Sequence, residues 1–356
     1  MSIVNYRKKI DSIDQRLIGL LNERAELSLD IGREKSRLKK GIYAPDREKE
    51  VLDRIKKVNK GPMSPQALEA IYREIMSCSL SLEKPLKIAY LGTAGSFTYG
   101  AAQKKFGSQV AYDSCQSIAE VFEKVEHGHC DYGVVPIENS VEGAVTHTFD
   151  LLVDSDLKIC SQILSPIAHA LASKFGDIRR IKKIYSNPQV FGQCRNWLLE
   201  NLPPAKAGQI SVASTTEAAQ RAAKESDAAA IGSLQAAKFY KLRVIKSNIQ
   251  DLAHNTTRFL VLAQQDVSPT GKDRTSILFS IKDKVGALHA MLTPFYKNSI
   301  NLTKIESRPS KKKAWDYYFF VDFEGHREDK PVRKALSQLE DMCKYLKVLG
   351  SYPIIE

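Results

Sequence analysis

The first 85 residues carry apolar side chains at a helical spacing. Apolar positions recur three and four residues apart, which is typical of one face of a long helix. The stripe comprises Ile10, Ile13, Leu17, Leu20, Leu27 and Ile31, with Arg24 in the slot between Leu20 and Leu27. It starts at Arg7, reaches Lys35 and meets no Pro or Gly cluster before Gly41. The pattern predicts a helix of about 35 residues, roughly 50 Å long.

A helix of this length is longer than the rest of an 85-residue segment can cover. We therefore expect a second chain to bury the stripe, so that the segment forms an intertwined helical dimer. The sequence "PDREKEVLDRI" predicts a second helix with Asp46 as its N-cap. The sequence "SPQALEAIYREIM" predicts a third, with Ser64 as its N-cap and Pro65 in the first turn. The stripe of the third helix becomes polar at its end and comprises Ile71, Ile75, Ser79 and Glu83.

Three cations, Arg7, Arg24 and Lys35, lie in or beside the stripe of the first helix. A buried cation is costly unless an anion pairs with it. The residues alone leave two interpretations open. One is an internal salt-bridge network that uses Glu48 and Glu83, and the other is a pocket for a ligand with two negative charges.

Residues 86–266 alternate short apolar runs with helical stretches. The segment begins after "LEKPLKIAYLG", and later runs include "YGVVPI", "KICSQIL", "AAAIGS" and "RFLVLA". Such alternation predicts βαβ units and mostly parallel sheet. Ligands of such folds bind at the carboxyl ends of the strands, often in a crevice between two lobes.

Polar residues follow these strands at five places. They are "TAGSFT" at 93–98, "IENSVEG" at 137–143, "SNPQVFGQCR" at 186–195, "STTEAA" at 214–219 and "HNTTR" at 254–258. A single Ser or Thr in such a place often only caps a helix. The five together predict one polar crevice. No nucleotide-binding fingerprint is present, because "GTAGSF" fits neither GxGxxG nor GxxxxGK.

Residues 272–356 predict the order βαββαβ of a ferredoxin-like fold. The strands are read from "TGKDRTSILFSI", "NLTKIESRP", "WDYYFFVDF" and "VLGSYPI". The helices are read from "VGALHAMLTPFYKNSI", where we expect Pro294 to introduce a kink, and from "KPVRKALSQLEDMCKYL". The segment has no catalytic constellation and could be a structural or dimerisation domain.

The net charge of +12 changes this interpretation little, because the excess is spread over all three segments. The one tight basic run, residues 311–313, is expected to be a solvated loop, and nucleic-acid binding is not indicated. The six cysteines form no CxxC pair and predict reduced thiols in a cytoplasmic protein. Cys194 could be a nucleophile, but packing explains it more simply. The N-terminus lacks the apolar segment of a signal peptide, and no apolar run is long enough for a membrane span.

The sequences "LIGLLNERAELSLDIGREK" and "APDREKEVL" resemble the all-helical chorismate mutase family. The resemblance implies that Arg7, Arg24 and Arg47 face the two substrate carboxylates. It implies that Lys35 donates to the ether oxygen and that Glu48 holds the substrate hydroxyl. Ser79 and Glu83 would complete the pocket. A Claisen rearrangement needs a compact substrate conformer and positive charge at the ether oxygen, which this set can supply.

Two positions depart from the pattern of that family. Ala44 stands where many members have Asp, and Glu83 stands where some have Gln. A carboxylic acid could donate to the ether oxygen only when protonated, so we expect a mutase step that weakens as pH rises.

The five polar stretches resemble prephenate dehydratase, with "VVPIENSVEGAV", "NPQVFGQCR" and "NTTRFLVL" as the most specific matches. The resemblance implies two α/β lobes like those of a periplasmic binding protein, with the site in the cleft. It implies that Thr257 assists departure of the ring hydroxyl and that Arg258 binds or orients the substrate. Because a hydroxyl is a poor acid, Glu138 could be the proton source. The residues expected to line the site are Ser96, Asn139, Ser140, Ser186, Gln193, Ser214 and Thr215. Asn187 stands where the family usually has His.

The C-terminal segment resembles an ACT domain through "GAL" at 286–288 and "ESRP" at 306–309. By that likeness, phenylalanine would bind at a subunit interface to Gly286, Ala287, Leu288, Glu306, Ser307, Arg308 and Pro309. It would inhibit the dehydratase by favouring a less active state.

The sequence is identified as a member of the bifunctional chorismate mutase/prephenate dehydratase family. We expect it to convert chorismate to prephenate and prephenate to phenylpyruvate under feedback by phenylalanine, without a cofactor or metal. Arogenate as the dehydratase substrate and a non-catalytic ACT-linked amino-acid sensor stay open as alternatives. A fused dehydrogenase would require the nucleotide fingerprint that is missing.

Overall fold

The computed structural model describes residues 2–38, 41, 43–281, 285–310 and 317–354. The basic run at 311–313 lies outside the described residues. The chain divides into two compact units. The first comprises residues 1–87 with 106–111, and the second comprises residues 88–105 with 112–356.

The first unit is built on three helices. They are α1 (Ile3–Arg37), α2 (Pro45–Val58) and α3 (Pro65–Glu83). The predicted length of α1 is confirmed at 35 residues. Ser64 caps α3 as predicted, because its side chain accepts a hydrogen bond from the Ala67 N–H. The prediction for α2 is wrong, since that helix starts at Pro45 and its N-cap is Ala44 rather than Asp46. Proline suits a first helical position, and this places the helix start before Asp46.

The second unit begins with two α/β lobes that follow the predicted alternation. The first lobe comprises β1 (Lys87–Leu91), α4 (Phe97–Phe106), β2 (Ala111–Cys115), α5 (Ile118–Glu126), β3 (Tyr132–Asn139), β4 (Gly143–Ala144), α6 (Thr146–Asp154) and β5 (Lys158–Pro166). The second comprises β6 (Ala170–Ser173), a 3-10 turn (Ile178–Arg180), β7 (Lys183–Ser186), α7 (Pro188–Gln193), α8 (Arg195–Asn201), β8 (Gly208–Ser211), α9 (Thr215–Lys224), β9 (Ala228–Gly232), α10 (Leu234–Phe239) and β10 (Arg243–Lys246). The chain then returns to the first lobe through β11 (Thr256–Ala263).

Both sheets are mixed, which corrects the expectation of mostly parallel sheet. The first has the order β2-β1-β3-β11-β5, with β4 beside β3, and the second has the order β10-β6-β9-β7-β8. The returning strand β11 runs antiparallel to both β3 and β5. In the second sheet, β6 and β10, which adjoin the crossings between lobes, are antiparallel to their neighbours. The two crossings of the chain between the lobes therefore produce the antiparallel pairs.

The C-terminal part has the predicted βαββαβ order. It comprises β12 (Asp273–Ser280), α11 (Ala287–Lys297), β13 (Leu302–Pro309), β14 (Tyr317–Glu324), α12 (Lys330–Met342) and β15 (Tyr345–Pro353). Its antiparallel sheet has the order β13-β14-β12-β15, as in a ferredoxin-like fold. Pro294 lies inside α11 and is buried. An apolar cluster that includes Leu260 of β11 and Phe320 of β14 joins this sheet to the first lobe.

None of the described helices combines the length and low charge that a bilayer span needs.

Candidate functional sites

The first candidate site lies where α1 and α3 come closest. Ser28 and Gly32 are the buried residues of α1. A Cβ atom added at Gly32 would lie 3.0 Å from the Glu83 Cβ atom and 3.1 Å from its Cα atom. Only a residue without a side chain allows this approach of the two helices.

Four predicted mutase residues form two pairs at this contact. Arg24 donates a hydrogen bond from Nη1 to the Ser79 Oγ atom. One helical turn further along α3, the Lys35 Nζ atom lies 2.8 Å from the Glu83 Oε2 atom. The Glu83 side chain is only 7% exposed. Two cations and a buried carboxylate therefore line one face between the helices.

The other predicted mutase residues lie elsewhere in the unit. Glu48 accepts a 2.5 Å hydrogen bond from the Tyr43 hydroxyl. Arg47 is exposed and pairs with Glu50 at 2.6 Å. Arg7 is exposed on α1, 17 residues before Arg24. At the helical rise this separation is about 25 Å, so Arg7 cannot reach the pair formed by Arg24 of its own chain.

The apolar residues of the α1 stripe are not covered within the single chain. Each of its six apolar residues is at least half exposed in the single chain, and they are Ile10, Ile13, Leu17, Leu20, Leu27 and Ile31. An apolar surface of this length on one helix is unusual for a protein that acts as a single chain.

The second candidate site lies at the ends of β3 and β11. These strands pair so that Thr257 is opposite Asn139, and both residues lie on one face of the sheet. The Asn139 amide nitrogen donates to the Thr257 Oγ1 atom at 2.8 Å and to the Asn255 Oδ1 atom at 2.6 Å. Because Thr257 accepts from Asn139, its own hydroxyl hydrogen can point to another acceptor. Asn255 is almost fully buried, and no motif of the sequence marks it as a site residue.

Gln193 of α7 connects the second lobe to this region. Its Nε2 atom donates to the Glu142 Oε1 atom at 2.8 Å. Its Oε1 atom lies 2.7 Å from the His169 Nε2 atom, so His169 donates in this pair. Burial lowers the pKa of His169, although the bond to Gln193 opposes this shift. A neutral, buried His169 therefore fixes the orientation of the Gln193 amide, a role for which the sequence offered no motif.

The predicted serines bond backbone groups, two within their own helix start and two on distant segments. Ser96 accepts from the Tyr99 N–H and Ser214 accepts from the Glu217 N–H, both at 3.1 Å, as residues at helix starts do. Ser186 donates to the Ile231 carbonyl at 2.9 Å. Ser140 donates to the His254 carbonyl at 3.2 Å. Thr215 is the first residue of α9.

Two hydrogen bonds join the lobes near the start of α4. The Thr93 hydroxyl donates to the Thr216 Oγ1 atom at 2.9 Å. The Ser233 hydroxyl donates to the Gly95 carbonyl at 2.7 Å. The polar stretches at 93–98 and 214–219, which are far apart in the sequence, therefore meet as the strand-end pattern predicted.

Arg258 and Glu138 lie on the opposite face of the sheet from Thr257, which corrects their predicted place in the cleft. Side chains alternate along a strand, so the residues next to Thr257 and Asn139 must face the other way. Arg258 is only 6% exposed and contacts Glu138 at 3.0 Å and Asp322 at 2.6 Å. Asp322 belongs to β14 of the C-terminal sheet.

The charge of Glu138 also argues against its use as a proton source. Burial raises its pKa, but Lys304 and Arg258 outweigh this and hold the pKa below its usual value. For Arg258, burial opposes the charge, but the Tyr352 hydroxyl and the Asp322 and Glu138 carboxylates raise its pKa. Both groups therefore carry full charge at neutral pH.

The two segments that resemble phenylalanine-binding signatures lie in the C-terminal sheet and its first helix. Gly286 has a φ of +79° and precedes α11. Residues 306–309 belong to β13, which is an edge strand. Arg308 of β13 lies 3.6 Å from Asp150 of α6.

Cys194 lies within the apolar core of the second lobe. Burial raises the pKa of its thiol to about 12, so it is not a nucleophile at neutral pH. Plain packing explains this residue.

Three family models match the chain in succession. Chorismate mutase type II matches residues 6–84. Prephenate dehydratase matches residues 88–267. The ACT domain matches residues 275–341.

Curated relatives match almost the whole chain. A bifunctional chorismate mutase/prephenate dehydratase of Aquifex aeolicus is 50% identical over 98% of this chain and 96% of its own. An arogenate dehydratase/prephenate dehydratase of Arabidopsis thaliana is 38% identical over 78% of this chain and 75% of its own.

Two solved structures match about three quarters of the chain. A prephenate dehydratase of Arthrobacter aurescens, solved with L-phenylalanine, is 33% identical and covers 76% of this chain and 90% of its own, with a TM-score of 0.69. A structure described as the quorum-quenching acylase GqqA has the same TM-score of 0.69 at 25% identity, over 76% of this chain and 98% of its own.

Proposed function

Because this chain belongs to the family of bifunctional chorismate mutase/prephenate dehydratases, we propose that it makes phenylpyruvate from chorismate in two steps. The first unit would rearrange chorismate to prephenate, and the second would dehydrate and decarboxylate prephenate. The hydrogen bond between Asn139 and Thr257 at the strand ends is the observation that carries the second step.

In the first step the protein would hold chorismate in a compact conformer and place positive charge at the ether oxygen. Arg24 and Arg47 would bind the substrate carboxylates, and Glu48 would hold the hydroxyl group. Lys35, at the contact of α1 and α3, would stabilise the negative charge that develops on the ether oxygen as the C–O bond breaks. Glu83, held by Lys35 at 2.8 Å, would fix the ammonium group in that position.

The first step would also need two chains. Arg7 is about 25 Å from Arg24 along the same helix, so it would serve the pocket of a partner chain. The exposed stripe of α1 would then be buried between the two copies. A two-fold arrangement of this kind places Arg7 of each chain in the other chain's pocket.

In the second step Thr257 would donate a hydrogen bond to the ring hydroxyl as it leaves. Asn139 donates to the Thr257 Oγ1 atom and so leaves the hydroxyl hydrogen available for the substrate. As the bond to the carboxyl group breaks and releases carbon dioxide, its electron pair enters the ring and expels the hydroxyl group. The hydroxyl group takes a proton that solvent supplies through the Thr257 hydroxyl and leaves as water. Formation of the aromatic ring drives both bond cleavages. Gln193, held by His169 and Glu142, would bind the substrate from the second lobe.

The C-terminal domain would bind phenylalanine through Gly286, Ala287, Leu288, Glu306, Ser307, Arg308 and Pro309. The relative from Arthrobacter aurescens, solved with L-phenylalanine, supports this role. Because β13 is an edge strand, a second copy could pair with it and complete the site. We further propose that the protein is cytoplasmic and uses no cofactor.

The test is to incubate the purified protein with chorismate and follow prephenate and phenylpyruvate by mass spectrometry, with and without phenylalanine. The proposal predicts both products, with phenylpyruvate suppressed by phenylalanine. A parallel sample with arogenate measures the alternative that the Arabidopsis relative's name supports. Failure to convert chorismate, prephenate or arogenate would contradict the proposal and favour a sensor.

A further inference from the structure

An ionic cluster of buried and partly buried side chains lies between the first lobe and the C-terminal sheet. Arg258 is at its centre, with Nη1 at 3.0 Å from the Glu138 Oε1 atom and 2.6 Å from the Asp322 Oδ2 atom. The Arg258 Nη2 atom donates to the Tyr352 hydroxyl at 2.8 Å. The Lys304 Nζ atom donates to the Glu138 Oε2 atom. We call Arg258, Glu138, Lys304 and Asp322 the ionic cluster.

Every strand of the C-terminal sheet contributes to the ionic cluster or its immediate partners. Lys304 comes from β13, Asp322 from β14 and Tyr352 from β15. Ser276 of β12 lies 2.5 Å from the Asp322 Oδ1 atom and 2.7 Å from the Tyr352 hydroxyl. A displacement of β13, β14 or β15 therefore changes a contact of Arg258 or Glu138, and a displacement of β12 changes a contact of their partners Asp322 and Tyr352.

The first-lobe members of the cluster are direct chain neighbours of the candidate dehydratase residues. Glu138 precedes Asn139, and Arg258 follows Thr257. The two pairs are also in register, since Arg258 lies opposite Glu138 and Thr257 lies opposite Asn139. The ion pair on one face of the sheet therefore lies directly beside the hydrogen bond on the other face.

The setting of the cluster indicates a role beyond holding the two sheets together. Its surroundings are apolar and include Phe149, Phe320 and Leu349. Apolar residues alone can make a stable contact of this kind, whereas buried ion pairs contribute little net stability. Ion pairs do fix one relative position of two strands, because their bonds require a defined geometry.

We propose that Arg258 and Glu138 are positioning residues for Thr257 and Asn139, and that Lys304 transmits the position of β13 to them. The inference rests on the proposed dehydratase and phenylalanine sites. Lys304 lies two residues before Glu306 and on the same face of β13. A shift of β13 on phenylalanine binding would move Lys304, then Glu138, and then the bond between Asn139 and Thr257.

The first test compares Lys304→Met, Glu138→Gln and Arg258→Met with Lys347→Met as the matched control. Lys347 also joins the C-terminal sheet to the first lobe, since its Nζ atom bonds the Val153 carbonyl at 3.0 Å, but it contacts no member of the cluster. We expect the three cluster variants to lower kcat on prephenate about 10- to 100-fold with KM within about twofold, since small displacements cost this much. Lys347→Met should leave kcat near the wild-type value.

A double-mutant cycle separates coupling from general damage. The cycle combines Lys304→Met with Glu138→Gln. If Lys304 acts through Glu138, this double variant should lose no more dehydratase activity than the more affected of the two single variants. Additive losses, or an equal loss in Lys347→Met, would overturn the proposal. The melting temperature and near-ultraviolet circular dichroism of the same samples report whether the second unit is folded. Lys304→Met retains the central Arg258 bonds and is the informative variant if Arg258→Met fails to fold.

The proposed role of Lys304 in regulation is tested by measuring phenylalanine binding and phenylalanine inhibition in the same variant. Calorimetry should show that Lys304→Met binds phenylalanine within a few-fold of wild type, while its dehydratase activity is no longer inhibited. Normal inhibition in this variant would overturn the role of Lys304. Hydrogen exchange at residues 137–140 and 256–259 provides a readout that needs no activity. Faster exchange in Glu138→Gln but not in Lys347→Met is expected even if the proposed substrate is wrong, whereas unchanged exchange would contradict the positioning role.

Discussion

In the first unit the candidate site is carried by side chains on two helices, whereas in the second it is carried by the ends of paired strands. The helical site has Arg24, Lys35 and Glu83 in place, but Arg7 is far away on the same helix. The strand-end site has Thr257, Asn139 and Asn255 in direct contact within one chain. If Arg7 serves a partner chain as proposed, a long helix supplies residues to a neighbour's site, while a sheet edge gathers them from its own chain.

The two sites also differ in what surrounds them. The helix that carries Arg24 and Lys35 exposes a continuous apolar stripe. The strands that carry Asn139 and Thr257 are covered on their other face by the C-terminal sheet. On the proposed function, the first site would depend on a second copy of the chain, whereas the second site would depend on a domain of its own chain. Each dependence can be broken separately.

The largest effect is expected at Thr257. Thr257→Val keeps the size of the side chain but removes the hydroxyl, and it should lower dehydratase kcat about 10²- to 10⁴-fold, the range of general acid catalysis. Thr257→Ser is the matched control and should retain most activity. Phenylpyruvate formation from prephenate measures this, and chorismate consumption should not change. Near-wild-type activity of the Val variant would show that another group assists the leaving hydroxyl.

A charge introduced into the apolar stripe of α1 should lower mutase activity without lowering dehydratase activity. Leu20→Glu places a carboxylate in the surface that we expect two chains to bury, and mutase activity should fall about tenfold or more because an unpaired buried charge is costly. Dehydratase activity on prephenate should stay near wild type. Glu23→Gln, a change at an exposed position of the same helix, is the control. Unchanged mutase activity in Leu20→Glu, with an unchanged sedimentation profile, would contradict the dimer.

The contact of α1 and α3 can be tested with two glycines of the same helix. Gly32→Ala places a methyl group 3.0 Å from the Glu83 Cβ atom, and we expect the free energy of unfolding to fall by about 1–3 kcal/mol, as overpacking costs. Mutase kcat should fall with it, because Lys35 and Glu83 move apart. Gly19 has no atom within 4 Å of the same added group, so Gly19→Ala should raise helix stability by about 0.5–1 kcal/mol. Equal effects of the two changes would contradict the close contact.

The smallest effect is expected at Cys194. Burial raises the pKa of its thiol to about 12, whereas Cys78 is exposed. Iodoacetamide at pH 8 should therefore modify Cys78 first, and Cys194 should react only on unfolding. Peptide mass spectrometry over time measures both. Rapid labelling of Cys194 in the folded protein would show that the core of the second lobe opens readily.

Periodicity and strand-end polarity were sufficient for much of this account. The 3-4 spacing predicted α1 and its stripe, and the polar residues at 137–143 and 254–258 predicted that Asn139 and Thr257 meet. Alternation along β11 also required Thr257 and Arg258 to face opposite ways, but the family resemblance placed both in the cleft. The structure follows the alternation, with Thr257 and Arg258 on opposite faces of the sheet.

Other features had no signal in the sequence. His169 follows β5 as a single residue without a motif, and its bond to Gln193 depends on how the chain crosses between the lobes. Asp322 and Lys304 lie in a segment without an evident catalytic pattern, and only the tertiary contact brings them to Arg258 and Glu138. The antiparallel direction of β11 likewise follows from the return of the chain to the first lobe.

The most direct test of the difference between the two sites is complementation between Arg7→Ala and Lys35→Ala chains. Each variant alone should lack mutase activity, and both should retain dehydratase activity on prephenate. When the two chains are co-expressed, half of the dimers are mixed and contain one intact mutase pocket, so about one quarter of wild-type mutase activity should return. Recovery of this size would show that Arg7 acts in the pocket of the partner chain. No recovery in dimers shown to be mixed would mean that Arg7 and Lys35 act within one chain, and the account of the first site would be wrong.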